Sequence, residues 1–282
     1  MFERLSNGWQ LAKQSFHVLR MDKELLVFPL LSGVACLLVL ASFAVPLWAT
    51  GFAEAVADDR NPQANVLGWI VLFAFYLVNY FVIVFFNSAL VACAVIRFNG
   101  EDPTIKDGLG AAMARLPQIF GWALVAASVG VILRAIESRS EKVGSIVAGI
   151  LGMGWSIVTF FVVPVIVIEK ANPLQAVKRS TAILKKTWGE SLSANFGVST
   201  IAFLFTLPAI LLIVGGAMLI GVAGPIAGGA VIGVGVLWVL VVSLVSSALS
   251  AIVLAALYMY AATDRVPEVF DASLLTNAFG HK

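Results

Sequence analysis

The sequence predicts an all-α integral membrane protein, with about six transmembrane helices arranged as three hairpins and amphipathic interfacial helices on the cytoplasmic side. Three observations lead there. Hydrophobic residues make up 60% of the 282 and charged residues 12%, whereas soluble domains run to about 25% charged. The apolar residues collect into six runs, each sufficient for a hydrocarbon core that takes about 20 helical residues to cross. The polar segments after the second, fourth and sixth runs resemble one another, as expected of three two-span units joined in series. Residues 1–282 are therefore read as a single polytopic membrane domain.

Residues 1–24 are too polar, and too long before the first apolar run, to be a secretory signal. Leu5, Trp9, Ala12, Phe16 and Leu19 recur at helical spacing, and Arg4, Lys13 and Arg20 can meet headgroups, which predicts an interfacial helix. Spans are expected at 25–48, 66–96, 119–136, 144–168, 196–222 and 232–261. The glycine-rich stretch 215–235, with Gly224-Pro225 at its middle, leaves open a re-entrant or broken segment buried in protein.

Orientation follows from Lys and Arg. With the N-terminus inside, fourteen of the eighteen basic residues fall on the cytoplasmic side, and only Arg60, Arg134, Arg139 and Lys142 lie outside. That bias predicts a multi-pass protein of the bacterial cytoplasmic (inner) membrane with both termini cytoplasmic. Three internal segments, each carrying a proline (Pro103, Pro173 or Pro267), are expected to form interfacial helices at 103–116, 173–188 and 267–279. The ends of the second and sixth spans share Ser-Ala-Leu, at Ser88–Leu90 and Ser247–Leu249.

The segment from Phe160 to Trp188 is the fullest instance of the unit. An apolar run ends at Glu169, Asn172 can cap a helix, and Pro173 suits its first position, where no backbone N–H is needed. Leu174, Val177, Thr181, Leu184 and Trp188 fall on one face, and Lys178, Arg179, Lys185 and Lys186 lie toward the other. The basic face is expected to contact lipid headgroups, with anionic lipid contributing about 1 kcal/mol per basic side chain near the surface. Glu169 and Arg179 are expected to form a structural ion pair that fixes the angle between span and surface helix.

Ionisable groups inside the runs, the usual mark of ion coupling, are nearly absent. Arg134 lies close to a span end, where it can snorkel or pair with Glu137. Among neutral groups, Tyr76, Asn79, Tyr80 and Asn87 lie loosely on one side of the second span, and Ser243, Ser246, Ser247 and Ser250 share a face of the sixth. Asn79, Asn87, Ser243, Ser247 and Ser250 are the candidates for a polar path; interhelical hydrogen bonding is the favoured alternative. Small residues at four-residue spacing, Gly144, Ala148 and Gly152, then Ser247, Ala251 and Ala255, suit close helix packing within the chain or against a neighbouring subunit.

Net charge is only +2, without the basic stripe that nucleic acid requires. Cys36 and Cys93 lie in apolar runs, and His17 and His281 near the ends. No disulfide framework, metal site or cofactor is expected, nor does any nucleotide loop, zinc-type His-Glu spacing or serine elbow occur. The expectation is a protein that is not an enzyme.

The pattern Glu169, Pro173, Ala176, Arg179-Ser180 followed by a basic, Trp-bearing segment resembles a bacterial polytopic family known only as a domain of unknown function. The resemblance extends to KELLVFPLLSG at Lys23–Gly33 and to FFNSALVACAVIRFNGEDPTIKDGL at Phe85–Leu109. The Glu-to-Ser motif alone is loosely similar to the membrane domain attached to some bacterial glycerophosphodiesterases, but the chain has no room for their catalytic domain. The resemblance implies the fold and the inner membrane; it implies no activity. The leading functional expectation is engagement of anionic membrane lipid through basic interfacial helices, in membrane organisation or a lipid-linked process. The alternative is a channel or facilitator for a small solute or ion. Expected partners are anionic lipids, with a second copy of the chain or another membrane protein as further partners.

Overall fold

The computed structural model describes residues 2–51, 62–138, 143–186, 190–263, 267 and 270, the side chains of 2–8, 11–12, 62–65, 186 and 190–201 excepted. Every regular element among them is helical. In chain order these are α1 (Phe2–Met21), a 3-10 turn (Lys23–Leu26), α2 (Val27–Ala49), α3 (Pro62–Phe98), α4 (Ile105–Met113), α5 (Leu116–Ser138), α6 (Val143–Val158), α7 (Val162–Ile168), α8 (Pro173–Lys186), α9 (Glu190–Ala223) and α10 (Pro225–Thr263). Six helical segments are long and apolar enough to span a membrane, α6 and α7 counting together as the fourth. Many large apolar side chains on them, among them Leu37, Leu211 and Met218, face outward. In a bilayer such side chains meet lipid and the helices satisfy their own backbone. The chain is an all-α, multi-pass membrane protein.

The chain divides into two compact units. One comprises residues 30–93 and 104–185. Its consecutive spans pair as hairpins: Phe43 of α2 meets Phe75 of α3 edge-on at 5.6 Å, and Trp122 of α5 stacks on Trp155 of α6 at 5.7 Å. Phe81 of α3 packs edge-on against Phe120 of α5. Gly144 lies under the carbonyl of Ile136, where an added Cβ would come within 2.5 Å of the oxygen, and Gly152 faces Leu133. The small residues of the fourth span therefore face the third span. A capping box opens α4: the Thr104 hydroxyl accepts from the Asp107 N–H, and the Asp107 carboxylate accepts from the Thr104 N–H at 3.0 Å. Thus the helix predicted at 103–116 begins two residues later, with Pro103 outside it, because Thr104 supplies the cap.

The second unit comprises residues 1–29, 94–103 and 186–282. Its centre is the antiparallel hairpin α9–α10. A Cβ at Gly228 would lie 2.6 Å from the Gly216 carbonyl oxygen, and one at Gly235 would lie 3.2 Å from that of Ala209. The glycine-rich stretch thus forms the facing ends of two long helices. Gly224, at φ +91°, turns the chain, and Pro225 begins the next helix at once, so the sixth helix starts seven residues earlier than predicted. Backbone contact here requires glycine, which composition alone does not distinguish from loop glycine.

α1 packs against α9 and α10. Its buried residues are Ser15, Val18 and Leu19, followed by Asp22; Trp9 and Phe16 are largely exposed. Of the predicted apolar face, Leu19 packs inward and Trp9 and Phe16 face outward, while α1 packs on protein along Ser15 and Val18; Leu5 and Ala12 have side chains outside the described set. Asp22 is buried and pairs with Arg97, which also pairs with the exposed Asp102. Phe98 meets Phe270 edge-on at 5.6 Å. Apart from Pro267 and Phe270, the interfacial helix predicted at 267–279 lies outside the described residues.

Candidate functional site

The fourth span, expected to be continuous over 144–168, is interrupted. α6 ends at Val158, and the chain turns through Thr159–Phe161 before α7 begins. A break inside an apolar segment leaves backbone groups without helical partners, and burying them unpaired is costly. Phe161, at the start of α7, receives no cap from its own side chain. Ser180 of α8 supplies the missing partner: the Phe161 N–H donates to Ser180 Oγ at 3.0 Å, and that hydroxyl donates to the Val158 carbonyl at 2.7 Å. One side chain thus bridges both lips of the break. Ser180 and Phe161 are fully buried.

α7 closes with the Glu169 N–H bonded to Val165 O at 3.0 Å, and Lys170 turns the chain at φ 58°, a left-handed conformation uncommon outside glycine. The N-terminus of α8 follows: the Asn172 N–H reaches Gln175 Oε1, and its carbonyl accepts from the Ala176 N–H at 2.8 Å. Pro173 takes the first helical position and rests against α5 at Gly121, where a Cβ would lie 3.0 Å from Pro173 Cγ. Arg179 Nε donates to Glu169 Oε1 at 2.8 Å, spanning the turn at Lys170. The segment 158–180 is thereby held twice, by a buried hydroxyl bridge and by a partly exposed ion pair.

This docking sets which face of α8 is free. Ala176, Ser180, Ile183 and Leu184 are buried. Leu174, predicted on the apolar face, is 71% exposed, and Val177 and Thr181 are only half-buried. α8 thus lies on protein through a further set of residues, where small Ala176 and Ser180 allow close approach; Trp188 lies outside the described residues. Lys178, Arg179 and Lys185 are exposed on the side away from the bridge. The Lys186 side chain lies outside the described set.

The candidate polar-path residues are divided between the two compact units. Asn79 and Asn87, both half-buried, belong to one compact unit, and Ser243, Ser247 and Ser250 to the other. Asn79 donates to the Phe75 carbonyl of its own helix at 3.0 Å. Ser243 and Ser247 are exposed and Ser250 is half-buried, whereas Ser88, matched to Ser247 in the repeat, is fully buried. Arg134 pairs with Glu137 at 2.8 Å on the surface of α5. Among the described residues, no group of three or more His, Cys, Asp or Glu side chains is placed to hold a metal ion.

Two arrangements escaped the sequence reading. Ser180 was visible only as the last letter of a motif, although Ala176 and Ser180 at i and i+4 are the small-residue signal of a docked face. The Asp22–Arg97–Asp102 cluster joins groups 75 and 5 residues apart, and no local pattern announces the longer pairing.

The chain belongs to a family of unknown function, DUF6159, whose model matches residues 66–267 and so includes the interrupted span, its clasp and the glycine hairpin. No curated protein matches the chain, and the looser likeness to glycerophosphodiesterase membrane domains gains no support.

Proposed function

We propose, starting from membership of a family of unknown function, that the chain is a non-enzymatic protein of the bacterial inner membrane. It engages anionic lipid through the basic face of α8, in membrane organisation or a lipid-linked process. The observation that carries this reading is the fixed presentation of α8. Its small and apolar face is docked through Ala176, Ser180 and Ile183, while Lys178 and Lys185 point away from the docked side. A helix held rigidly at a span end presents its charges without the ordering cost of a mobile segment. Arg179 Nε bonds Glu169, so the lysines are the better test of headgroup contact.

The experiment compares the wild-type chain with a Lys178→Gln, Lys185→Gln, Lys186→Gln variant in nanodiscs of mixed phosphatidylglycerol and phosphatidylcholine. Retained lipid is counted by native mass spectrometry. Loss of the preference for phosphatidylglycerol, with thermal stability unchanged, is the expected result. Equal retention of both lipids by wild type and variant would remove the proposal.

A further inference from the structure

Beyond α8, the other compact unit contains an apolar pocket with one charged side chain, Lys13, among its described lining residues. Trp9, Lys13 and Phe16, at i, i+4 and i+7 of α1, form one wall; Ala202 and Phe205 of α9 and the Trp238–Leu249 stretch of α10 form the others. The volume is about 450 Å³, within the range of about 300–1,000 Å³ typical of small-molecule sites. It opens because of the hairpin's sequence. Near the turn, Gly216 and Gly228, then Ala209 and Gly235, bring the two backbones together. Where small residues give way to Phe205 and Trp238, the helices are spaced by side chains. The Trp238 indole N–H is already bonded to the Phe205 carbonyl at 2.8 Å, so the aromatic wall is fixed and turns little polarity inward.

Depth places the pocket in the bilayer. At about 1.5 Å per helical residue, Trp238 lies roughly 21 Å and Leu249 roughly 38 Å along α10 from the Gly224 turn. With the Gly224 turn at one face of a hydrocarbon core of about 30 Å, the other face falls within the pocket's length. Its occupant is therefore amphiphilic: a tail lies along Trp238, Val241 and Val242 and a head lies at the water boundary. Lys13 sets the sign of that head, and Arg20, whose guanidinium lies 5.7 Å from the Phe16 ring centre, adds a second positive charge beside the same wall. Among the described residues, no carboxylate lines the pocket. We infer that this pocket holds one acyl chain of an anionic membrane phospholipid, with Lys13 at the lipid phosphate. The site is separate from α8 and does not rest on the function proposed for it.

The test uses the full chain in phosphatidylcholine vesicles doped with phosphatidylglycerol carrying a diazirine on one acyl chain, or with the matching phosphatidylcholine probe. Adducts are mapped by peptide mass spectrometry. Adducts concentrated on 202–205 and 238–249 are expected, with about fivefold more from the anionic probe, the factor that one basic side chain near the surface supplies. Lys13→Gln should reduce that ratio, and Lys13→Gln with Arg20→Gln should abolish it, while leaving acyl adducts in place. Val242→Trp should fill the pocket and remove them; Ala202→Phe, entering from α9, serves if Val242→Trp does not fold. The triple Gln variant of α8 should leave the pattern unchanged, which separates this site from the other. Equal labelling by both probes, or adducts spread evenly over outward faces such as Leu37 and Leu211, would overturn the inference.

Discussion

At the break in the fourth span, one hydroxyl serves two backbone groups, the Phe161 N–H and the Val158 carbonyl. Its removal takes that partner from a buried residue and from a half-buried one, and a buried group left unsatisfied costs about 1–3 kcal/mol. The ion pair beside it is a weaker tie. Glu169 and Arg179 retain 32% and 42% of their side-chain exposure, and pairs so placed contribute about 0–1 kcal/mol. Ser180→Ala should therefore lower the melting temperature in detergent more than Arg179→Gln does, and Ala182→Ser on the exposed side should leave it unchanged. A larger loss from Arg179→Gln would mean that the ion pair, and not the hydroxyl, closes the break. A parallel contrast holds at Asp22, which is buried, and Asp102, which is 90% exposed. Arg97→Leu strips a buried carboxylate of its partner, for which about 3–5 kcal/mol is typical, whereas Asp102→Asn removes only an exposed charge. Melting curves of the two variants should differ accordingly, and equal curves would show that Asp22 does not depend on Arg97.

Among elements, the α9–α10 hairpin depends on which glycines face which way. A methyl group at Gly228 would enter the Gly216 backbone, while one at Gly229 would meet nothing within 4 Å. Overpacking of this kind costs about 1–3 kcal/mol, so Gly228→Ala should lower the melting temperature and Gly229→Ala should leave it unchanged or raise it, since alanine favours the helix. Similar effects from both variants would mean the hairpin is not sealed by backbone contact. The α4 cap adds a dependence on pH. Hydrogen bonds from the Thr104 hydroxyl and N–H hold the Asp107 carboxyl below its ordinary range. A carboxylate depressed by folding contributes stability above its unfolded pKa and loses it as pH falls through the lower, folded value. Amide protection in Ile105–Met113 should fall in acid, and Asp107→Asn should remove that dependence; a wild-type profile in the Asn variant would exclude Asp107 as its source.

Across the whole molecule, hydropathy disclosed what lipid dictates and missed what protein–protein packing dictates. The six spans were legible because each must present an uninterrupted apolar surface to the bilayer, and Pro173 marked the start of α8 because only backbone geometry was needed. The break at Thr159–Phe161 was not legible, since its residues are as apolar or small as an unbroken span and its stabilising hydroxyl is 19 residues away from the amide it serves. The same holds for α8: its apolar spacing shows Leu174, which faces outward, but not the docking of Ala176 and Ser180, nor that α5 presents Gly121 to Pro173. Orientation is the property that joins the spans into one topology, and it rests on the distribution of basic residues. If the fourteen basic residues are inside, the Gly224 turn is outside and α8 inside. Single cysteines at Val222, which is highly exposed beside the turn, and at Ala182, exposed on α8, test this after Cys36 and Cys93 are replaced by Ala. A membrane-impermeant maleimide should label position 222 in spheroplasts and position 182 only in inverted vesicles. The reverse pattern would invert the topology and place both the α8 lysines and the Lys13 pocket in the outer leaflet.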